Sequence, residues 1–245
     1  PWDTPASVAR IANWDSAKDQ WELYDLTKDF SQANDLAAEQ PEKLRELQSR
    51  FLEVAKANND FPIGAGNWLR LYPNDRIKTP YTNWTFGPQT RRMPEFTAPG
   101  VGRESNEVRI DVDFDNDSNG VLYAVGGAGG GLTLYMDQGH LVYEYNMMII
   151  EQYVARSPTK IASGKHEILV TTDIEAPGGA GRVNLSVDGQ PVATVDLLRT
   201  VPAAFTATET FDVGIDLGSP VSRNYFDRRP FAFDGTINRV YVSWK

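Results

Sequence analysis

Residues 107–125 read EVRIDVDFDNDSNGVLYAV, and this stretch indicates the class of fold. Apolar residues alternate with charged ones from Val108 to Phe114, which is the period of a β-strand with one buried face. The polar run 115–120 has the composition of a turn, and the apolar run 121–125 follows it. The stretch therefore predicts two strands joined as a β-hairpin.

Further runs of strand-like composition follow, separated by short turns such as the Asp-Gly pair at 188–189. They lie at 132–136, 141–145, 149–155, 166–174, 182–187, 192–197, 210–215 and 236–244. Many short strands without a helical pattern among them predict an antiparallel β-sandwich or jelly roll over residues 103–245. The glycine-rich stretch 126–131 lacks the helix and lysine of a phosphate-binding loop, so we predict a tight hairpin there.

The first 60 residues have a different pattern. Residues 21–24 alternate large and polar side chains like a short strand, residues 25–29 have turn chemistry, and a helical period begins at Pro41. The helix carries an apolar stripe made of Leu44, Leu47, Phe51 and Val54. A helix of this length is marginal alone in water, so we expect the stripe to dock on another domain. Residues 1–60 are thus predicted to be a small α/β strand-helix segment of an upstream domain.

Residues 61–102 are rich in Pro, Gly, Asn and Thr with aromatic residues interleaved, and we interpret them as a connection laid over a surface. Within this connection, residues 81–86 are a candidate edge strand. The opening PWDTPASVARIANWD has neither an initiator Met nor the layout of a signal peptide, so we expect the chain to begin inside a longer reading frame.

Composition excludes several classes of function. The net charge of −9 is spread along 245 residues without a basic run, which argues against nucleic-acid or membrane partners. The absence of cysteine excludes disulfides, thiolate metal sites and cysteine nucleophiles. Only two histidines are present, so there are few candidate residues for a multi-histidine metal site or a Ser-His-Asp triad. The cellular compartment stays open.

The segment WELYDLTKDFSQANDLAAEQPEKLRELQSRF at 21–51 closely resembles the end of the arylsulfatase catalytic region, where W-x-L-Y-D-L, a turn and a P-x-K-L-x-x-L helix close the fold. The segments EVRIDVDF, VNLSVDGQPVATVDL and TFDVGIDLGSPVSRNYFDRRPFAFDGTINRVYV resemble the extra C-terminal β-domain of large bacterial arylsulfatases, a sandwich of concanavalin or laminin-G type. The likeness covers nearly the whole chain and is more specific in combination than in any single motif.

The resemblance implies that the parent protein is a sulfuric ester hydrolase. Its formylglycine motif, C/S-x-P-x-R, is absent, so no catalytic residue carries over and we expect this chain to be non-catalytic. The implied partner is the missing N-terminal catalytic domain, which would also hold the calcium ion of the family; no cofactor is expected in this chain. The chain would complete and stabilise that domain and shape substrate access, in the cytoplasm, the periplasm or outside the cell. The alternative is a carbohydrate-binding module that targets a sulfatase to glycans.

Two polar groups are candidate sites. Asp113, Asp115 and Asp117 offer oxygen ligands for calcium, but their spacing departs from the EF-hand loop and we favour a polar turn. A second polar set is a candidate for a cleft rim, an interface or a glycan contact, although a loop pinned by hydrogen bonds is the simpler interpretation. This second set consists of Asp212, Asp216, Ser219, Asn224, Tyr225 and Arg228.

Two further hypotheses concern carbohydrate chemistry. A sugar-stacking platform could use four aromatic residues, although core packing explains them more simply. These residues are Trp68, Trp84, Tyr143 and Tyr145. A glycoside hydrolase needs two carboxylates across a groove, for which Glu144 and Glu151 are the candidates, without a motif that singles them out.

Overall fold

The computed structural model describes residues 14–58, 60, 80–206 and 208–245. The chain separates into two units, Pro1–Ile77 and Lys78–Lys245, and each is described by itself. In neither unit is a described helix long and apolar enough to cross a membrane.

The first unit contains the predicted helix, α1, at Pro41–Ala57. Proline stands in its first turn with Glu42, and Lys56 lies in its last turn, which suits the helix dipole. The apolar stripe is partly covered, because the ring of Phe51 lies 5.6 Å from that of Trp21 and 6.4 Å from that of Trp14. Leu44 is half-buried, while Leu47 and Val54 are each 42% exposed.

The strand predicted at 21–24 is wrong. The described part of the first unit, 14–58 and 60, has no β-strand. The Leu23 N–H donates to the Asp35 carboxylate at 2.9 Å, and the Leu36 N–H donates to the Leu23 carbonyl at 2.8 Å. These bonds close a loop on itself, and extended backbone becomes a strand only where a neighbouring strand continues the ladder. The turn predicted at 25–29 is present, with the Lys28 N–H bonded to the Asp25 carbonyl at 3.0 Å.

The second unit is an antiparallel sandwich of two six-stranded sheets, which confirms the predicted fold class. Sheet A has the order β1-β12-β3-β8-β9-β10 and sheet B the order β2-β11-β4-β5-β6-β7. The strands of sheet A are β1 (Asn83–Phe86), β3 (Asn106–Phe114), β8 (Gly164–Ile174), β9 (Gly181–Val187), β10 (Gln190–Leu197) and β12 (Thr236–Trp244). Those of sheet B are β2 (Met93–Pro94), β4 (Gly120–Gly127), β5 (Gly130–Asp137), β6 (His140–Met147), β7 (Glu151–Arg156) and β11 (Thr210–Val213).

The hairpin predicted from the opening stretch is wrong, although both of its strands exist. β3 pairs with β12 and β8 in sheet A, whereas β4 pairs with β11 and β5 in sheet B. Residues 115–119 therefore carry the chain from one sheet to the other. The Asn119 N–H donates to the Asp234 carboxylate at 2.9 Å, so this crossing is held by a loop distant in sequence.

Residues predicted to lie in the connection belong to the sandwich. β1 lies within the candidate edge strand at 81–86 and pairs with β12 at one edge of sheet A, which confirms that prediction; the Trp84 ring lies 5.0 Å from that of Trp244. β2 pairs with β11 at one edge of sheet B. The second unit consequently starts before residue 103, because two short strands complete its sheets.

The core lies between the two sheets. Alternate residues of β3 are buried, as a strand with one solvent-facing side requires. In β4, by contrast, all eight residues are buried, and β5 and β6 are nearly as enclosed. The outward face of sheet B must therefore be covered by another layer of the protein, and this layer contains the candidate site.

Candidate functional site

The layer over sheet B is formed by residues 214–231, called the cover segment below. It contains a short 3-10 helix at Arg223–Arg228, which the sequence did not predict because six residues are too few to show a helical period. The segment and the outward face of sheet B share a second apolar cluster. Its members are Val121, Ala124, Tyr135, Val142, Val221, Tyr225 and Phe231.

One polar anchor of the cover segment is Asp216, which is 1% exposed. Its carboxylate accepts hydrogen bonds from the Tyr225 hydroxyl at 2.6 Å and from the Val221 N–H at 2.8 Å. Burial raises the pKa of Asp216 to about 6, although both hydrogen bonds oppose the shift. Burial also raises the pKa of Tyr225 well above its usual value, so the tyrosine stays a hydrogen-bond donor.

The second anchor is Glu144, on the outward face of β6 and fully buried. Its carboxylate accepts from the Ser222 hydroxyl at 2.5 Å, the Asn224 amide at 3.3 Å, the Tyr135 hydroxyl at 3.4 Å and the Gln152 amide. Burial raises the pKa of Glu144, and the hydrogen bonds partly offset this. A buried carboxyl group with four donors fixes the orientation of side chains on three different elements.

Beside Glu144, the outward face of β7 reaches the surface at the free edge of sheet B. Gln152, Val154 and Arg156 alternate along this face, and Val154 is 46% exposed. The Arg156 guanidinium bonds the Asp137 carboxylate at 3.0 Å. The Arg228 guanidinium, from the cover segment, bonds the other oxygen of Asp137 at 3.0 Å.

These groups form one surface, called the rim site below and defined as Asp137, Gln152, Arg156, Asn224 and Arg228. Both arginine side chains are about two-fifths exposed, at 42% and 41%. Burial alone would raise the pKa of Asp137, but its bonds to the two guanidinium groups outweigh burial and lower it. The rim site therefore has two fixed positive charges around one carboxylate.

Aromatic rings support the arginines of the cover segment. The Arg228 guanidinium lies over the Phe231 ring at 4.2 Å, and the Arg229 guanidinium lies over the Phe226 ring at 4.3 Å. Phe226 is 47% exposed, which makes it an apolar surface on the same 3-10 helix. No pattern in the linear sequence marks this ring as a site residue.

Two residues of the predicted polar set lie elsewhere. Ser219 donates to Glu209 at 2.6 Å and accepts from the Ala128 N–H at 3.0 Å, at the β4–β5 turn. Asp212, on β11, accepts from the Arg92 N–H at 2.6 Å and so joins β2 to its sheet. The structure thus brings Asn224 and Arg228 into the rim site, with Tyr225 beneath them as a buried support.

The glycine-rich stretch is the predicted tight hairpin, between β4 and β5. A Cβ atom added at Gly127 would lie 2.5 Å from the Ser219 hydroxyl oxygen and 2.9 Å from the Glu209 side chain. The bare backbone is therefore needed for the cover segment to approach the hairpin.

The candidate calcium ligands do not converge. Asp117 pairs with Lys160, whereas Asp113 lies within β3 and Asp115 is exposed. Across the described ranges, no three His, Asp or Glu side chains are grouped as a metal ion would require.

Among the described residues, the structure supports neither the sugar-stacking platform nor the pair of facing carboxylates. Tyr143 and Tyr145 are at most 1% exposed, which confirms core packing, and Trp84 is half-buried against the core. Trp68 lies outside the described residues. Glu144 and Glu151 cannot act as a facing pair, because Glu151 pairs with Met147 on the inward face of sheet B.

A separate groove of about 610 Å³ lies at the end of sheet A, where β8 ends and β9 begins. It is lined by ten residues, including Asp173, Arg182 and Asp196. Arg182 pairs with Asp196 at 2.6 Å, and Lys245 pairs with Asp173 at 2.7 Å. Three carboxylates, those of Asp173, Glu175 and Asp196, line the groove together with one cation, Arg182, so the groove has an excess of negative charge, unlike the rim site.

Comparisons with known proteins give structural similarity only. No family model and no curated protein sequence matches the chain, so neither supports the sulfatase origin that the resemblance implies. The carbohydrate-binding module CBM40 of the Ruminococcus gnavus IT-sialidase, bound to α2,3 sialyllactose, is 17% identical with a TM-score of 0.46, covering 66% of this chain and 89% of that one. Leech intramolecular trans-sialidase is 14% identical with a TM-score of 0.46, covering 66% and 25%. Domains LG4-5 of the mouse laminin α1 chain are 16% identical with a TM-score of 0.40, covering 68% and 43%.

Proposed function

We propose that the sandwich is a non-catalytic glycan-binding module of a larger protein and that it binds sugar at the rim site. The observation that carries this proposal is a set of exposed hydrogen-bonding side chains held in place from below. Gln152 and Asn224 are both anchored on the buried Glu144, while Arg156 and Arg228 are both anchored on Asp137.

Anchored polar groups suit sugar binding because a glycan presents many hydroxyl groups and little apolar surface. A side chain already ordered by the protein loses less conformational entropy on binding, about 0.5–1.5 kcal/mol less for each one. The amide oxygens of Gln152 and Asn224 accept no hydrogen bond from a described residue, so they are available to sugar hydroxyls. The exposed Phe226 ring nearby offers the apolar face against which a sugar ring packs.

The proposal is tested by titrating the 245-residue chain with oligosaccharides in a calorimeter, after a glycan array has selected the probes. We expect saturable binding that Asn224→Ala and Arg228→Ala weaken about tenfold or more, equivalent to about 1.4 kcal/mol. Arg182→Ala is the matched control, because this arginine is also exposed and paired with an aspartate, but in the groove of sheet A. Loss of binding in the control alone would place the site in that groove, and no binding to any glycan would reject the proposal.

A second candidate function follows from the resemblance of residues 21–51 to the end of the arylsulfatase catalytic region. Under this proposal, α1 docks onto a missing sulfatase domain and the parent protein is a sulfuric ester hydrolase. Support comes from Leu47 and Val54, which are 42% exposed on a helix whose apolar stripe is only partly covered. This function predicts that the chain raises the thermal midpoint of a separately produced arylsulfatase catalytic region, and that Leu47→Asp removes the effect. Glycan binding without any such stabilisation would favour the first function.

A further inference from the structure

The rim site has more positive charge and more hydrogen-bond donors than the protein itself uses. We propose that it selects glycans bearing a sulfate or carboxylate group, which binds between the guanidinium groups of Arg156 and Arg228. This inference rests on the proposed function and adds the chemical class of the ligand.

The two arginines have more N–H donors than their partners in the protein accept. A guanidinium group has five N–H donors in a planar fork. Arg156 directs its Nη1 to the Asp137 carboxylate at 3.0 Å and its Nη2 to the Asp137 carbonyl at 3.3 Å. Arg228 directs its Nη1 to the same carboxylate at 3.0 Å and its Nη2 to the Asn224 carbonyl at 3.1 Å. Each arginine keeps N–H groups that no described residue accepts, and each side chain is about two-fifths exposed.

The rim site also has an excess of positive charge. The guanidinium groups of Arg156 and Arg228 share the one carboxylate of Asp137, so these three groups have an excess of one positive charge. On the 3-10 helix, Arg223 and Asp227 have opposite charges and leave this excess unchanged. Glu144 lies beneath with its oxygens bonded by four donors, and burial raises its pKa, which favours the neutral form of this carboxyl group. A local positive surface on a chain of net charge −9 attracts an anionic group while the rest of the surface disfavours a long polyanion.

Both guanidinium groups are held in fixed orientations. Asp137 holds both guanidinium groups from one side, and the Phe231 ring supports Arg228 at 4.2 Å. Two preoriented forks match the oxygen atoms of a sulfate or carboxylate, which arginine binds through parallel N–H bonds. The amides of Gln152 and Asn224 then lie beside the anion, where they meet hydroxyl groups of the same sugar.

The inference is tested by calorimetry with three probes of equal length: a neutral galactose-based oligosaccharide, the same backbone with 4-sulfate groups, and a galacturonate oligosaccharide. We expect the sulfated or the uronate probe to bind at least about tenfold more tightly than the neutral one. This preference should decrease as sodium chloride rises from low to physiological concentration, because salt screens charge at the surface. The two anionic probes decide between sulfate and carboxylate.

The variants are Arg156→Gln, Arg228→Gln and the milder Arg228→Lys, with Arg182→Gln as the matched control. We expect the two glutamine variants to weaken binding of the anionic probe by more than binding of the neutral probe, so that the preference is lost, while Arg182→Gln keeps it. The lysine variant keeps the charge without the fork and should retain part of the preference, even if a glutamine variant folds poorly. Equal affinity for all three probes would overturn the inference and leave the proposed function standing, whereas no binding to any probe would reject the proposed function itself.

Discussion

The substitution Asp216→Asn tests whether a buried carboxyl group holds the cover segment. Asn keeps an oxygen that can accept the bonds from the Tyr225 hydroxyl and the Val221 N–H, so the packing should survive. The pKa of Asp216 is about 6 in the folded protein and 3.8 in the unfolded reference. Because folding raises the pKa of this carboxyl group, the folded protein favours the protonated form. The contribution of the group to the stability of the folded protein is therefore fully present below pH 3.8 and is lost as pH rises through 6.

The magnitude follows from the shift. About two pKa units at about 1.4 kcal/mol each make ionisation of Asp216 cost about 3 kcal/mol of folding free energy at neutral pH. The variant has no such cost. About 0.6 kcal/mol of this cost is already present at pH 4, so we expect the free energy of unfolding of the variant, relative to the unsubstituted chain, to increase by about 2.4 kcal/mol between pH 4 and pH 7.

The assay is urea denaturation at a series of pH values from 4 to 7.5, followed by the circular dichroism of the β-sheets. Asp196→Asn is the control, because Asp196 is exposed and its pKa is lowered by the hydrogen bond and charge of Arg182. The control should show no such increase with pH. If Asp216→Asn changed stability by the same amount at every pH, the carboxyl group would not be titrating in the folded protein and the argument from burial would fail.

Three further substitutions test neighbouring parts of the site. Tyr225→Phe removes a hydroxyl donor from Asp216, and we expect a loss of about 1–3 kcal/mol at neutral pH, measured by the same denaturation. Gly127→Ala should cost about 1–3 kcal/mol because its Cβ collides with the cover segment, whereas Gly129→Ala, with no atom within 4 Å, should change the thermal midpoint little. Glu144→Gln keeps the shape of the side chain but replaces an acceptor oxygen with an NH2 group, which would face the donors that now bond the carboxylate. We therefore expect the affinity for glycan, measured by calorimetry, to fall about tenfold.

The class of fold could be predicted because alternation along one strand is a local property of the sequence. Residues 108–114 showed it clearly, and β3 is there. The pairing partner of β3 could not be predicted, because nothing within 115–120 distinguishes a turn inside one sheet from a crossing between two. The bond that holds the crossing comes from Asp234, which is 115 residues away in the chain.

The candidate site was only half predictable for a similar reason. Asn224 and Arg228 stood out because they lie in one dense polar stretch. Arg156 and Gln152 are unremarkable in the linear sequence, and only the pairing of β6 with β7 brings them beside the cover segment. Glu144 did carry a signal, since a charged residue in the apolar run LVYEYNM must be buried with partners.

The cover segment separates the part of the chain that specifies architecture from the part that can change. Its inward side chains, Val221, Tyr225 and Phe231, fill a fixed apolar cluster, while the outward side chains of Arg223, Phe226, Asp227 and Arg229 are exposed and take no part in the bonds to Asp137 or Glu144. A protein engineer could therefore randomise the outward positions of this one short helix, leave all twelve strands untouched, and obtain a library of binding specificities on a single scaffold.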